Sequence, residues 1–132
     1  MISLDTNVLV RLLTNDEPKQ VRLARKALDL ALAEGKTVWV SVIVLCELVW
    51  VLQGLYKYDK KQVITAIDAL LKFSGIEVQS PHLVKKTLDV LTASTVDFAD
   101  ILLGLVSLDA GAAYVLTFDK KASKLATHEL LV

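Results

Sequence analysis

The sequence predicts an α/β protein, a three-layer α/β/α sandwich with a mostly parallel central sheet. Short segments rich in β-branched and aromatic residues alternate with longer amphipathic segments, and this alternation is typical of parallel strands covered by helices on both faces. The chain has 132 residues, 54% of them hydrophobic, which suits one core and is too short for two ordinary domains. Its 2 prolines and 5 glycines leave no linker-like stretch, so we expect a single domain over residues 1–132.

Five strands are predicted from short runs of β-branched or aromatic residues. They cover residues 1–4, 37–40, 75–78 and 113–117, with a last short strand at 129–132. Ligand sites in parallel α/β sheets gather beyond the carboxyl ends of the strands. The residues that directly follow each strand are therefore the first candidates for function.

Helices are predicted where apolar residues recur at intervals of three and four and where capping residues mark the starts. Asp59 and Gln62 form a capping box. Ser41 and Asp97 each stand at a predicted N-cap. The predicted helices cover residues 17–33, 41–55, 59–73, 80–91 and 98–110.

Charge and cysteine content exclude several classes of function. The 15 basic and 15 acidic side chains give a net charge of 0, which disfavours nucleic-acid binding through bulk positive charge and leaves local basic patches open. The single cysteine, Cys46, excludes a disulfide framework and thiolate zinc sites, and we expect it in the core. His82 and His128 have no histidine one turn away, so we expect them at the surface or a helix end rather than on a metal.

No membrane segment is predicted. The longest apolar stretch, residues 38–52, has 15 residues and is interrupted by Ser41 and Glu47, whereas a spanning helix needs about 20 apolar residues. The first residues carry no basic region and no cleavage site of a signal peptide. We therefore expect a soluble cytoplasmic protein that does not bind a membrane.

Two carboxylates stand at predicted strand ends. Asp5 follows the first strand directly, and Asp119 follows the fourth strand after one residue, Phe118. If the two strands are neighbours, both side chains lie at the same edge of the sheet. The alternative is a cap, with Asp5 capping residues 7–13 and Asp119 capping residues 120–126. Taken singly, each residue fits the cap at least as well as a functional role.

Glu47 is the only charged residue in the predicted helix 41–55, and its neighbours are apolar. Such a helix is expected to be covered on most faces, and an unpaired buried carboxylate costs several kcal/mol unless a cation neutralises it. The alternative is a glutamate at the open edge of the helix. The functional interpretation is favoured.

Asp97 and Asp100 open another apolar helix, residues 98–110. A cap and a favourable helix-dipole interaction explain one of the two acids. Asp97 is expected to be the cap, which leaves Asp100 on the same turn without a structural reason. Four acids from four separate elements, Asp5, Glu47, Asp100 and Asp119, are then candidates for one site.

Convergence of these acids would place about four negative charges together, and such a cluster requires a counter-ion. Mg²⁺ or Mn²⁺ is the natural one, because hard cations take oxygen ligands. Such ions activate water and stabilise charge on a phosphate. Phosphodiester hydrolysis is the reaction that best fits acid-rich chemistry without histidine or cysteine.

Four short motifs in order make the chain resemble a PIN-domain protein, and it looks most like the VapC-type toxins of toxin–antitoxin pairs. The motifs are Leu-Asp-Thr-Asn-Val-Leu-Val-Arg-Leu-Leu at 4–13, Glu-Leu-Val-Trp-Val-Leu at 47–52, Asp-Phe-Ala-Asp at 97–100 and Leu-Thr-Phe-Asp at 116–119. Each motif alone is weak, but the four together cover nearly the whole chain. The resemblance implies a PIN-like sandwich.

The resemblance also implies roles for individual residues. Asp5, Glu47, Asp100 and Asp119 match the acidic catalytic and metal-binding set, and Asp97 matches a more variable acidic position as a weaker ligand. Three small polar residues match positions that line the pocket and would orient the carboxylates or a water: Thr6, Asn7 and Thr117.

The implied activity is that of a Mg²⁺- or Mn²⁺-dependent endoribonuclease acting on structured or single-stranded RNA, with tRNA or rRNA as typical targets. The implied partners are the RNA substrate, a cognate antitoxin that lays a peptide over the site, and a second copy in a homodimer. One departure follows Asp119, where many relatives have a further acid and an aromatic residue. Here Lys120, Lys121 and Lys124 occupy this segment, either as a solvated face, which is favoured, or as phosphate ligands.

Two other classes of function remain as alternatives. One is a catalytically idle PIN-like module for dimerisation or antitoxin binding, against which the presence of all four acids argues. The other is phosphoryl transfer to Asp5, as in haloacid-dehalogenase-like enzymes or receiver domains. A dehalogenase-like site would have a second aspartate where Asn7 stands, and a receiver domain would have a late strand-end lysine where Thr117-Phe118-Asp119 stands.

Overall fold

The computed structural model describes all 132 residues and contains six α-helices and five short strands. The helices are α1 Thr6–Leu13, α2 Pro18–Ala33, α3 Val42–Gly54, α4 Lys60–Lys72, α5 Pro81–Thr92 and α6 Phe98–Asp109. The strands are β1 Ile2–Ser3, β2 Val38–Val40, β3 Ile76–Val78, β4 Val115–Thr117 and β5 His128–Leu130. The predicted α/β class is confirmed, and every strand pairing is parallel.

The chain divides into two compact units, Met1–Pro81 and His82–Val132. The strands divide in the same way: β1, β2 and β3 form one sheet in that order, and β4 pairs with β5. The sequence predicted one central sheet, so the division into two hydrogen-bonded sets is a difference from that prediction. The strands are only two or three residues long, which gives each pair few ladder hydrogen bonds. The single domain over residues 1–132 stays a prediction.

The sheet of the first unit buries one face. Ile2, Val38 and Ile76 are register partners across its three strands, and Val38 and Ile76 are buried. The next register row is more open, because Ser3 and Glu77 are exposed beside Trp39. This alternation is the two-residue period of a strand with one face toward the core. After the carboxyl end of β1, the buried Leu4 leads from this packed layer to the exposed Asp5.

The predicted caps of the first unit are confirmed. The Ser41 hydroxyl accepts the backbone N–H of Val44 at 3.1 Å at the start of α3. Asp59 and Gln62 form the reciprocal capping box of α4, with bonds of 2.8 and 2.9 Å. These bonds satisfy backbone donors that a helix start leaves unpaired. Cys46 in α3 was expected in the core but is only half-buried, and this burial raises the pKa of its thiol.

Arg11 at the end of α1 holds a polar cluster together. Its Nε donates to Gln20 Oε1 at 2.6 Å, and its guanidinium also contacts the Tyr56 hydroxyl and Asp16. The Tyr56 hydroxyl in turn donates to Asp16 Oδ2 at 2.6 Å, and this bond holds the pKa of the Asp16 carboxyl below its usual value. Arg11 therefore joins α1 to α2 and to the segment that follows α3.

The second unit packs α6 closely against the start of β5. A Cβ atom built on Gly104 would contact Thr127 Oγ1, would lie 2.7 Å from Thr127 Cβ and would lie 3.0 Å from His128 Cε1. His128 is buried, and its Nδ1 lies 2.8 Å from Thr127 Oγ1. The expectation of a surface or helix-end position for His128 is therefore wrong. Because Gly104 has no side chain, the start of β5 approaches α6 closely, and the imidazole ring of His128 is buried there.

Asp119 is followed by a short 3-10 helix, Ala122–Lys124, in place of the alternative helix at residues 120–126. A segment this short between two strands cannot close enough helical hydrogen bonds to propagate an α-helix. None of the helices has both the length and the apolar character required to span a bilayer.

Candidate active site

Asp5 lies between β1 and α1 and is the N-cap of α1. Its Oδ1 accepts the backbone N–H of Val8 at 3.1 Å, and the residue is exposed. The capping alternative is therefore realised. It engages Oδ1 and leaves Oδ2 without a hydrogen bond, so the same carboxylate can still serve as a ligand.

Glu47 is exposed on α3, which contradicts the sequence argument that it is a buried lone carboxylate. The helix buries the opposite side through Leu45, Leu48 and Leu52. It leaves an open stripe at intervals of four and three residues, with Ile43 at 71% and Trp50 at 61% exposure around Glu47. The open-edge alternative is therefore correct, and Trp50 does not belong to the core.

The Thr6 hydroxyl connects α1 to α3 by donating to Glu47 Oε1 at 3.2 Å. Thr6 directly follows Asp5, so one short segment carries both a candidate ligand and the group that fixes a second one. Asn7 is exposed and lines, with Asp5, a groove of about 380 Å³ along α1 and α2. The first unit thus brings together Asp5, Thr6 and Glu47.

Asp100 lies in the first turn of α6 and is half-buried. Burial raises the pKa of its carboxyl above the usual value of 3.8, and the charges of Asp97 and Asp119 raise it further. His128 and Lys121 act in the opposite direction. The second unit therefore holds Asp97, Asp100 and Asp119 near enough for their charges to repel one another.

Asp97 occupies the N-cap position of α6, but its side chain makes no capping hydrogen bond. The expected N-cap position of Asp97 is therefore confirmed, but the capping hydrogen bond of its carboxylate is absent. The side chain is exposed beside Asp100 and free of a structural bond. Its backbone carbonyl still accepts the N–H of Ile101 at 3.1 Å, as the first bond of the helix requires.

Asp119 stabilises the bend after β4. Its Oδ1 accepts the backbone N–H groups of Lys121 at 2.8 Å and Ala122 at 3.3 Å. Its own N–H donates to Thr117 Oγ1 at 3.0 Å. Thr117 therefore fixes the backbone that carries Asp119. The second carboxylate oxygen of Asp119, Oδ2, has no hydrogen-bond partner.

The structure brings the candidates together within each unit. No group of three or more His, Cys, Asp or Glu side chains is arranged so that it could hold a metal ion. The strand adjacency considered for Asp5 and Asp119 is not observed, because β1 pairs with β2 and β4 pairs with β5. The common ligand set of Asp5, Glu47, Asp100 and Asp119 stays a prediction.

The capping role of Asp5 allows a stability test. Asp5→Ala is expected to lower the free energy of unfolding by about 1 kcal/mol, because it removes the bond to the Val8 N–H, whereas Asp5→Asn should leave it nearly unchanged. Chemical denaturation of both variants measures the difference. Equal stability of the alanine variant and the unchanged protein would contradict the role of this cap.

Comparison with known proteins identifies the family. A family model described as the PIN domain matches residues 2–127. A VapC ribonuclease of Aquifex aeolicus (strain VF5) is 23% identical over 122 residues, which cover 92% of this chain and 90% of that protein. The family model leaves out only the first residue and the last five, and the chain therefore belongs to the PIN-domain family.

Proposed function

We propose that this chain is a metal-dependent endoribonuclease and the toxin of a toxin–antitoxin pair. Asp5, Glu47, Asp100 and Asp119 would hold Mg²⁺ or Mn²⁺, with Asp97 as a weaker ligand. The observation that carries this proposal is the acidic cluster of the second unit, where burial and then the charges of Asp97 and Asp119 raise the pKa of Asp100. Carboxylates kept at close range, so that burial and like charges perturb one of them, are a feature of functional sites.

The donor chemistry fits such an ion. All five side chains are carboxylates, the ligands that hard divalent cations prefer. None of them takes part in a salt bridge. Asp5 and Asp119 each use only Oδ1 for capping, so a second oxygen is available in both.

The small polar residues would keep the ligands in place. Thr6 orients Glu47 through its hydroxyl, and Thr117 positions the backbone of Asp119. Because the carboxylates are already restricted in this way, they would lose less conformational entropy when an ion binds. When bound, Mg²⁺ or Mn²⁺ would supply an activated water and neutralise charge on the scissile phosphate.

Three partners belong to this proposal. RNA is the proposed substrate, with tRNA or rRNA as the target class, and the name of the Aquifex relative as a ribonuclease supports it. A cognate antitoxin and a second copy of the chain are the proposed protein partners.

A catalytically idle PIN-like interaction module is the alternative. It is favoured by one specific observation: Asp5 and Asp119 are both accounted for as caps. In that case the carboxylates would stabilise loops and the chain would act only through its surfaces.

Metal-dependent cleavage separates the two functions. Purified protein free of antitoxin is incubated with a pooled tRNA and rRNA sample in Mn²⁺, in Mg²⁺ and in EDTA. We expect defined fragments with either metal and none in EDTA. Absence of cleavage together with absence of Mn²⁺ binding by calorimetry would contradict the nuclease and favour the interaction module.

A further inference from the structure

Phe118 is the most exposed aromatic side chain of the protein, at 82%. It stands between Thr117 and Asp119, directly after β4. A phenylalanine with this exposure loses hydrophobic free energy that burial would provide. It therefore calls for an explanation other than folding.

Hydrogen bonds of the neighbouring residues Thr117 and Asp119 fix the backbone on both sides of the exposed Phe118. Asp119 donates its N–H to Thr117 Oγ1 and accepts two N–H groups from the following turn. On the other side, Thr117 O accepts the N–H of Leu131 at 2.8 Å. These bonds fix the residues on both sides of Phe118, so its backbone is anchored while the ring remains in solvent.

A cluster of cations follows the ring. Lys120, Lys121 and Lys124 are exposed, and none of them forms a salt bridge. Across residues 118–124 these three lysines accompany a single acid, Asp119, in a chain whose net charge is 0. The segment therefore carries a net positive charge directly after an exposed aromatic side chain in the sequence.

An open aromatic ring beside unpaired cations matches single-stranded nucleic acid. Bases stack on aromatic side chains irrespective of sequence, and lysines contact the phosphates between them. A second copy of this chain is a poorer occupant, because a two-fold contact across this segment would bring like charges together.

We infer that Phe118 stacks on an unpaired base of RNA while Lys120 and Lys124 contact the adjacent phosphates, which makes Phe118 a positioning residue for the strand beside Asp119. This inference rests on the proposed RNA substrate. It adds that the segment from Phe118 to Lys124 is an RNA contact rather than a solvated face. Lys121 also acts electrostatically on Asp100, so it is left unchanged in the test.

The test measures binding without cleavage. A short single-stranded RNA that contains a fluorescent adenine analogue, whose emission falls on stacking, is titrated with the full chain in EDTA. Phe118→Leu keeps an apolar side chain and removes the aromatic face, and Phe118→Trp keeps the face. The matched control is Phe73→Leu, at an exposed phenylalanine in the first unit.

We expect Phe118→Leu to weaken binding about tenfold and to abolish the quenching, while Phe118→Trp and Phe73→Leu retain both. Lys120→Gln with Lys124→Gln should reduce the slope of log affinity against log salt by roughly 0.7 for each phosphate lost. The charge-matched pair Lys57→Gln with Lys86→Gln should not change that slope.

Equal affinity and equal quenching of Phe118→Leu and the unchanged protein would overturn the inference, as would a wild-type chain that binds no RNA. If the unchanged protein cleaves RNA and Phe118→Leu keeps the same affinity and quenching, only the stacking role of Phe118 is overturned and the proposed nuclease activity stands. If Phe118→Leu loses RNA binding and the unchanged protein shows no metal-dependent cleavage, the RNA contact is supported and the proposed nuclease activity is contradicted.

Discussion

Asp100→Asn is expected to reduce metal-dependent RNA cleavage by at least about a hundredfold while the protein remains folded. Asparagine keeps the shape of the side chain but removes the charge that a divalent cation would bind. Asp100 is the carboxylate on which burial, Asp97 and Asp119 act together. Initial rates of fragment formation at saturating Mn²⁺ measure the effect, with Asp109→Asn at the exposed end of α6 as the control.

The stability of the Asp100→Asn protein shows whether a loss of activity is a loss of folding. The pKa of Asp100 is raised in the folded state, so ionisation opposes folding as pH rises from 3.8 through the raised value. Asparagine removes this penalty. We expect the variant to have an equal or higher Tm than the unchanged protein at neutral pH, and the gain to disappear below pH 3.8. Full activity of Asp100→Asn, or a lower Tm at neutral pH, would contradict the proposed role.

Gly104→Ala is expected to destabilise the second unit by about 1–2 kcal/mol. Alanine in a helix normally gains up to about 1 kcal/mol over glycine. Here the added methyl group would meet Thr127, whose Cβ lies 2.7 Å from the methyl position and belongs to a short side chain that cannot swing away. The backbone of α6 and the start of β5 must therefore separate. Thermal unfolding followed by circular dichroism measures the loss.

Gly54→Ala is the matched control for this substitution. Gly54 is also helical, at the end of α3, but a Cβ atom there has no neighbour within 4 Å. Its stability should be unchanged or slightly higher, because only the propensity gain remains. A destabilisation of equal size in the two variants would show that the contact with Thr127 is not the cause.

Local sequence signals were sufficient for the five strands and for five of the six helices, whereas α1 was foreseen only as the segment 7–13 that Asp5 would cap. The alternation of strand and helix segments and the capping residues Ser41 and Asp59 located the elements to within a few residues, because caps and periodicity depend on neighbours in the chain. The burial of His128 depends on Gly104, which is distant in sequence. A glycine within an apolar helix is a local signal for close packing, but it does not identify Thr127 and His128 as the residues that approach it.

The exposure of Glu47 was missed for a different reason. The exposed face of α3 around Glu47 also carries the apolar residues Ile43 and Trp50. The hydropathy of the sequence therefore did not indicate which face of this helix is exposed. The candidate residues could still be named, because the strand ends and the helix start of Asp100 are visible in the sequence. Whether Asp5 and Asp119 are caps or ligands could not be decided, since one carboxylate has oxygens for both tasks.

The two caps have an evolutionary consequence. Asparagine caps a helix start about as well as aspartate does, so exchanging Asp5 or Asp119 for asparagine should cost the fold little. Protein stability therefore does not protect the negative charge at these positions against mutational drift. Only selection for the negative charge itself would preserve it. A lineage in which the charge is no longer needed could therefore retain a well-folded but inactive form of this protein.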